Sequence, residues 1–143
     1  MMTLYDRVGG EAAAQRLVHG FYARARLDPQ LSPVFAQAAG GDPGRWWAQH
    51  LPKMVRFWIT VAGGPASYHG APVAAHDGLG LVAAHFDAWL ALWAQVLQKQ
   101  LPPDCAAELY GRAARMRTVI ERHVAGQPLP TPEAYRRAEA GHA

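Results

Sequence analysis

The run Tyr68-His69-Gly70-Ala71-Pro72-Val73-Ala74-Ala75-His76-Asp77-Gly78 stands between two strongly helical patterns and decides how the chain is read. It is too short and too rich in glycine to be a long helix. Pro72 suits the first position of a helix, where no backbone donor is needed and φ is already set. Gly78 suits a helix end. The expectation is a helix of about two turns with His76 near its end. A short helix presenting one imidazole is a candidate metal site, because neutral histidine is the commonest protein ligand. The chain holds seven histidines, so this one needs support from its surroundings.

Working outward, four longer helices are expected. From about Gly10 to Arg26, the positions Ala13, Leu17, Phe21 and Ala25 recur in steps of four, with Ala14, Val18 and Tyr22 beside them. Tyr22 shares the apolar side with Phe21, so its hydroxyl needs a buried partner. Asp28-Pro29 ends this helix, and Ser32-Pro33 reads as cap and first residue of a short helical turn bearing Val34 and Phe35. After Gly40-Gly41, Asp42-Pro43 starts a second helix. Its broad apolar face runs through Trp46, Trp47, His50, Met54, Phe57 and Trp58. Pro52 predicts a kink or broken turn near His50. Gly63-Gly64-Pro65 stops the helix. A third begins after Gly80 with the stripe Phe86, Trp89, Leu90, Trp93 and Leu97. A fourth follows Pro102-Pro103 and runs to about Val124. Strand alternation and internal repeats are absent, so the fold is read as all-α. Residues 1–126 form the expected domain, and 127–143 a tail that is a marginal helix or frayed.

Composition narrows the function. A chain of 143 residues with 50% hydrophobic content can bury one core without disulfides. The single cysteine, Cys105, excludes an internal disulfide, a multi-cysteine zinc or iron–sulfur site and the two-cysteine attachment of c-type haem. A net charge of +3 with scattered basic residues argues against nucleic acid. No signal peptide or membrane-spanning run is read, so a cytoplasmic chain is expected. His50 lies 26 residues before His76, and helices with wide aromatic faces flank the latter. A single-ligand pocket with such walls fits haem. It fits zinc badly, since zinc wants three or four closely organised ligands.

Three groups of residues carry a family resemblance: Leu4-Tyr5-Asp6-Arg7-Val8-Gly9-Gly10 leading to Phe21-Tyr22; His50-Leu51-Pro52-Lys53-Met54 through Phe57-Trp58 and on to Tyr68-His69-Gly70-Ala71-Pro72 and His76; and His85-Phe86-Asp87-Ala88-Trp89-Leu90. In order and spacing the chain resembles the truncated haemoglobins, small globins with a two-over-two helical sandwich around a haem pocket. Phe57-Trp58, the Tyr-x-Gly-x-Pro-x-x-x-His run and Phe-x-x-Trp-Leu look most like group III. The start, with Gly9-Gly10, looks more like the wider family. The resemblance implies non-covalent haem b with His76 as the proximal iron ligand. It matches Tyr22, His50 and Trp89 to distal ligand-binding positions, and Met54, Phe57, Trp58 and Tyr68 to the cofactor's surroundings. Lys53 and Arg56 could pair with haem propionates or be solvated surface.

The implied function is binding of dioxygen or another diatomic gas at a five-coordinate iron, as carrier or sensor, with hydrogen bonds from Tyr22 and Trp89. The alternative is an enzyme on the same haem, nitric oxide dioxygenation or peroxidase-like detoxification, fed by an external reductase. No flavin or nicotinamide motif stands in the chain itself. A haem-free helical interaction module is the third class. The expected assembly is a monomer or weak homodimer. Three positions are read as having no such role: His69 as a loop residue, His85 as surface, and Cys105 as an inert core or surface residue.

Overall fold

A computed structural model describes residues 2–65 and 68–126. The expected tail, 127–143, lies outside the described residues. All regular structure among the described residues is helical: α1 Leu4–Val8, α2 Gly10–Ala25, α3 Ser32–Ala39, α4 Pro43–Val61, a 3-10 turn Ala74–His76, α5 Ala83–Gln100 and α6 Pro103–Val124. Helix α2 packs on α4, α5 packs on α6, and α2 crosses α5 to join the two pairs. This is the two-over-two sandwich.

The join is apolar. Leu17, Val18 and Phe21 of α2 meet Trp93 and Leu97 of α5 in one core that also takes in Leu109 of α6. Every one of these six is at most 2% exposed. Burying a side chain of this size stabilises the fold by about 1.5–3 kcal/mol relative to leaving it in water. Trp93 stands edge-on to Phe21, ring centroids 5.2 Å apart, and lies 4.4 Å from Trp58 of α4. So one indole ties α2, α4 and α5 together. Cys105 is buried in this core.

Capping residues set the helix starts. The Asp42 carboxylate accepts the Arg45 amide at 3.2 Å and opens α4 as read from the sequence. Pro103 opens α6 at its first position. Three readings are corrected. Ser32 does not cap α3: Asp28 Oδ1 accepts the amides of Gln30 and Leu31, at 2.9 and 3.1 Å, and Ser32 is already helical. A carboxylate accepts more strongly than a hydroxyl, and it stands where the chain turns. Of the kink or broken turn read at Pro52, the break is absent, since α4 continues to Val61. Pro52 and Ala48 are both exposed, so water can serve the carbonyl that proline leaves unpaired. The run 72–78 is one 3-10 turn rather than two α-turns. Its amides at Ala75, His76 and Asp77 bond to Ala71, Val73 and Ala74. Proline supplies no donor at one end, and Gly78 at φ +74° turns the backbone away at the other.

Helix α1 was not read from the sequence. A capping box forms it: the Asp6 amide donates to Thr3 Oγ1 and the Thr3 amide to Asp6 Oδ2, each at 3.1 Å. It docks at the end of α4. The Tyr5 amide donates to the Ala62 carbonyl at 2.8 Å, and Arg112 Nη1 of α6 donates to the Val61 carbonyl at 2.7 Å. Carbonyls left over at the end of α4 are thereby satisfied by two other elements. Gly64 completes the joint, because a Cβ there would lie 2.6 Å from the Tyr5 ring and 2.9 Å from Ile59.

Gly64→Ala should therefore cost about 1–3 kcal/mol by overpacking. Gly41→Ala, where nothing lies within 4 Å, should stay within about 0.5 kcal/mol of the parent. Urea unfolding of both variants checks this; equal midpoints would contradict the joint.

Candidate functional site

A cavity opens between the two helix pairs, covered on one side by the segment 68–82. Its volume is about 200 Å³.

The wall is built helix by helix. Helix α2 contributes Tyr22, α3 contributes Val34 and Phe35, and α4 contributes Trp46, His50, Met54, Phe57 and Trp58. These α4 positions recur at three- and four-residue steps, so one face of the helix supplies them all. Helix α5 adds His85, Phe86 and Trp89; α6 adds Met116, Arg117 and Ile120. The covering segment adds Tyr68, Pro72 and His76, and the Tyr68 ring stands edge-on to Phe57 at 5.1 Å.

Eight of the nine site residues read from the sequence thus face one space. Lys53 does not: it is exposed and outside the lining, as is Arg56. Two titratable residues of the wall, His85 and Arg117, were not read as site residues. His85 is half-buried, and its Nδ1 accepts the Val82 amide at 3.0 Å, which closes the open end of α5. A histidine in the first turn after a glycine-marked loop is the signal that could have found it. Arg117 is paired with Asp87 at 2.7 Å and with Glu121 at 3.2 Å. Its charge is already balanced. His69 is exposed, as read.

The polar groups fall into two sets. Tyr22 is buried, and its hydroxyl finds the partner it needs in His50 Nε2 at 3.3 Å. The His50 ring stacks on Trp46 at 4.2 Å and stands edge-on to Trp47. The His50 ring does not swing out to solvent, because it is half-buried among aromatics. Burial raises the Tyr22 phenol well above its ordinary range, so it stays protonated. Burial first, then repulsion from Lys53 and His76, lowers the His50 imidazole to about 4. It is neutral at pH 7. One hydrogen is shared between the phenol oxygen and His50 Nε2; if the imidazole donates, the phenol hydrogen is free to point into the cavity. Trp89, half-buried in the wall, makes no hydrogen bond among the described residues. Its indole N–H remains an available donor.

The second set is a single imidazole. His76 Nδ1 stands 2.6 Å from the Pro72 carbonyl. A carbonyl only accepts, so Nδ1 carries the hydrogen and the Nε2 lone pair of neutral His76 is left over. A backbone acceptor behind one ring nitrogen is the arrangement that orients a metal-binding imidazole. Among the described residues no group of three or more His, Cys, Asp or Glu could hold a metal together. A single imidazole in the wall of an apolar, aromatic-lined slot fits haem, and among the described residues no multi-ligand metal site competes with it.

A sequence model of the bacterial-like globin family matches residues 3–122. The chain is a bacterial-like globin. The group 1 truncated haemoglobin of Mycolicibacterium paratuberculosis is 32% identical over 127 residues, covering 87% of this chain and 88% of that protein. The group 3 truncated haemoglobin of Campylobacter jejuni is 30% identical over 94 residues, 65% of this chain and 72% of the relative. The crystal structure of the group III truncated haemoglobin from that organism superposes with a TM-score of 0.73 at 24% identity, covering 80% of this chain and 91% of that one. The truncated haemoglobin resemblance stands, and both groups share it. A globin of this family is a haem protein, and its ligands are diatomic gases such as oxygen.

The sign of the His50 shift sets an acid sensitivity. Its folded-state value lies below the ordinary 6.5, so the unfolded chain takes up the proton first. The stability that neutral His50 contributes is complete above about pH 6.5 and lost as pH falls through about 4. Urea unfolding at pH 7 and 4.5 should show a smaller loss in His50→Phe than in the parent; equal losses would contradict it.

Proposed function

We propose that this globin binds haem b non-covalently over residues 1–126, with His76 as the axial ligand, and holds dioxygen or another diatomic gas on the opposite side. One observation carries the reading. His76, Tyr22 and Trp89 all line a single cavity. When bound, the haem supplies a ferrous iron with one open position, which is the chemistry the globin's side chains serve. Cys105 is buried away from the cavity wall, so no thioether attachment is available to it.

The side chains do the rest. His76 is aimed by the Pro72 carbonyl. Met54, Phe57 and Trp58 keep water from the slot, which strengthens every dipole inside it. A diatomic ligand that gains negative charge is stabilised by O–H and N–H donors fixed beforehand in a dry site. Tyr22 is fixed by burial and by His50; Trp89 by its contacts with Phe21 and Trp58, each at 6.2 Å. Lys53, exposed and unpaired among the described residues, is assigned to a haem propionate at the mouth. The same reading carries a cytoplasmic chain acting as monomer or weak homodimer. No described helix is long and apolar enough to cross a membrane.

A second reading is nitric oxide dioxygenation or peroxidase-like turnover with a separate reductase. The Tyr22–His50 pair favours it, because a phenol hydrogen-bonded to a neutral imidazole can pass a proton as well as donate one.

Stopped-flow release of dioxygen tests the first reading. Each lost donor to a charged ligand costs ~1.5–3 kcal/mol, so Tyr22→Phe and Trp89→Phe should each speed release about ten- to a hundredfold. Unchanged release in both variants would contradict the distal assignment.

A further inference from the structure

We infer that His123 and Asp77 form a latch that sets where the His76 imidazole stands in the cavity, which makes both of them positioning residues. The inference rests on His76 being the axial ligand.

The segment that carries His76 is weakly held. Between Tyr68 and Val82 only Ala74–His76 is helical, and Ala71, Ala74 and Ala75 are exposed. Just beyond the turn come Gly78 at φ +74° and Gly80 at φ +66°, both with open space where a Cβ would stand. The backbone there has little of its own to resist movement. Among the described residues, two hydrogen bonds run from segment 68–81 to the helices. One is long: Gln37 Nε2 of α3 donates to the Gly78 carbonyl at 3.5 Å. The other is short: His123 Nε2 of α6 meets Asp77 Oδ1 at 2.7 Å.

The short contact falls where it can act on the imidazole. Asp77 follows His76 directly, one Cα spacing of about 3.8 Å along the chain. It is the residue that ends the 3-10 turn, with extended backbone at φ −68° and ψ 145°. His76 belongs to the cavity wall, while the Asp77 carboxylate meets the last turn of α6. That helix is a firm anchor, because it packs along α5 and sends Met116, Arg117 and Ile120 into the same wall. The latch therefore fixes the distance between the turn and the opposite lining. A carboxylate only accepts, so His123 Nε2 carries the hydrogen, and the bond persists whether the imidazole is neutral or charged. Both side chains are largely exposed, and an exposed pair adds little to global stability. Its loss loosens the segment without unfolding the chain.

The test uses the full-length haem protein and two readouts: the iron–imidazole stretching band of the ferrous form in resonance Raman, and haemin transfer from the ferric form to excess apomyoglobin. Asp77→Ala and His123→Ala should each shift or broaden the band and speed haemin loss about two- to fivefold. The double alanine variant should match the singles, since either one opens the latch. Asp77→Asn keeps the acceptor oxygen, and His123→Gln places an amide N–H near the lost Nε2–H, so both should return toward the parent. An unchanged band and unchanged haemin loss in both alanine variants would overturn the latch, as would strictly additive effects. His76→Gly separates the two ideas. If the band survives that change, the axial assignment fails and the latch with it. If it vanishes while the alanine variants keep the parent's band, only the latch fails.

Discussion

A phenol taken out of water must find a partner or destabilise the fold by ~1–3 kcal/mol. Tyr22 is that phenol. It sits on the same face of α2 as Leu17, Val18 and Phe21, and burying that face against α4 and α5 buries the hydroxyl with it. His50 on α4 answers it at 3.3 Å. The demand fixes how far along α4 the two helices can meet. With α4 set at that height, Met54, Phe57 and Trp58 fall along one cavity wall, and His50 stays neutral in its aromatic surroundings. The cavity is what remains between the helix pairs once that contact is made.

The chemistry is divided between two kinds of backbone. The proposed distal donors stand on long packed helices, where rotamers are held by neighbours: Tyr22 by Phe21, Phe35 and Trp47, Trp89 by Phe21 and Trp58. The imidazole proposed as axial ligand stands on a single 3-10 turn in an exposed segment. The Pro72 carbonyl accepts from its ring, and His123 ties the segment to α6 through Asp77. A globin needs donors that do not move while gas binds, and a turn does not hold a ligand as firmly as a helix does. The polar tethers compensate for that difference.

Much of this was legible because it is periodic. Helices α2, α4, α5 and α6 carry apolar residues at helical steps, so their faces, and the placing of Tyr22, His50 and Trp89 on them, follow from spacing alone. Asp42-Pro43 gave the start of α4 because cap and proline act locally. The misses share another cause. Helix α1, five residues long, is too short to show a period, although the Thr3 and Asp6 pair was there to be read. The 72–78 run carries helix-like ends, but after one α-type bond from the Ala75 amide to Ala71 it tightens to the 3-10 bonds of His76 and Asp77. Asp28 outcompeted Ser32 as a local acceptor, which residue types alone do not rank. His85 and Arg117 look like surface residues on their own helices. Only the packing of α5 on α6 brings them to the cavity. The bond between Asp77 and His123, far apart in sequence, has no local signal at all.

The account stands on the left-over nitrogen of His76. Absorption spectra of the ferric, ferrous and carbonyl forms of the parent and His76→Gly, with and without added imidazole, test it most directly. It predicts a haem spectrum in the parent that is altered or lost in His76→Gly and restored by free imidazole. A parent that takes up no haemin, or a His76→Gly variant whose spectra match the parent's in all three states, would contradict it.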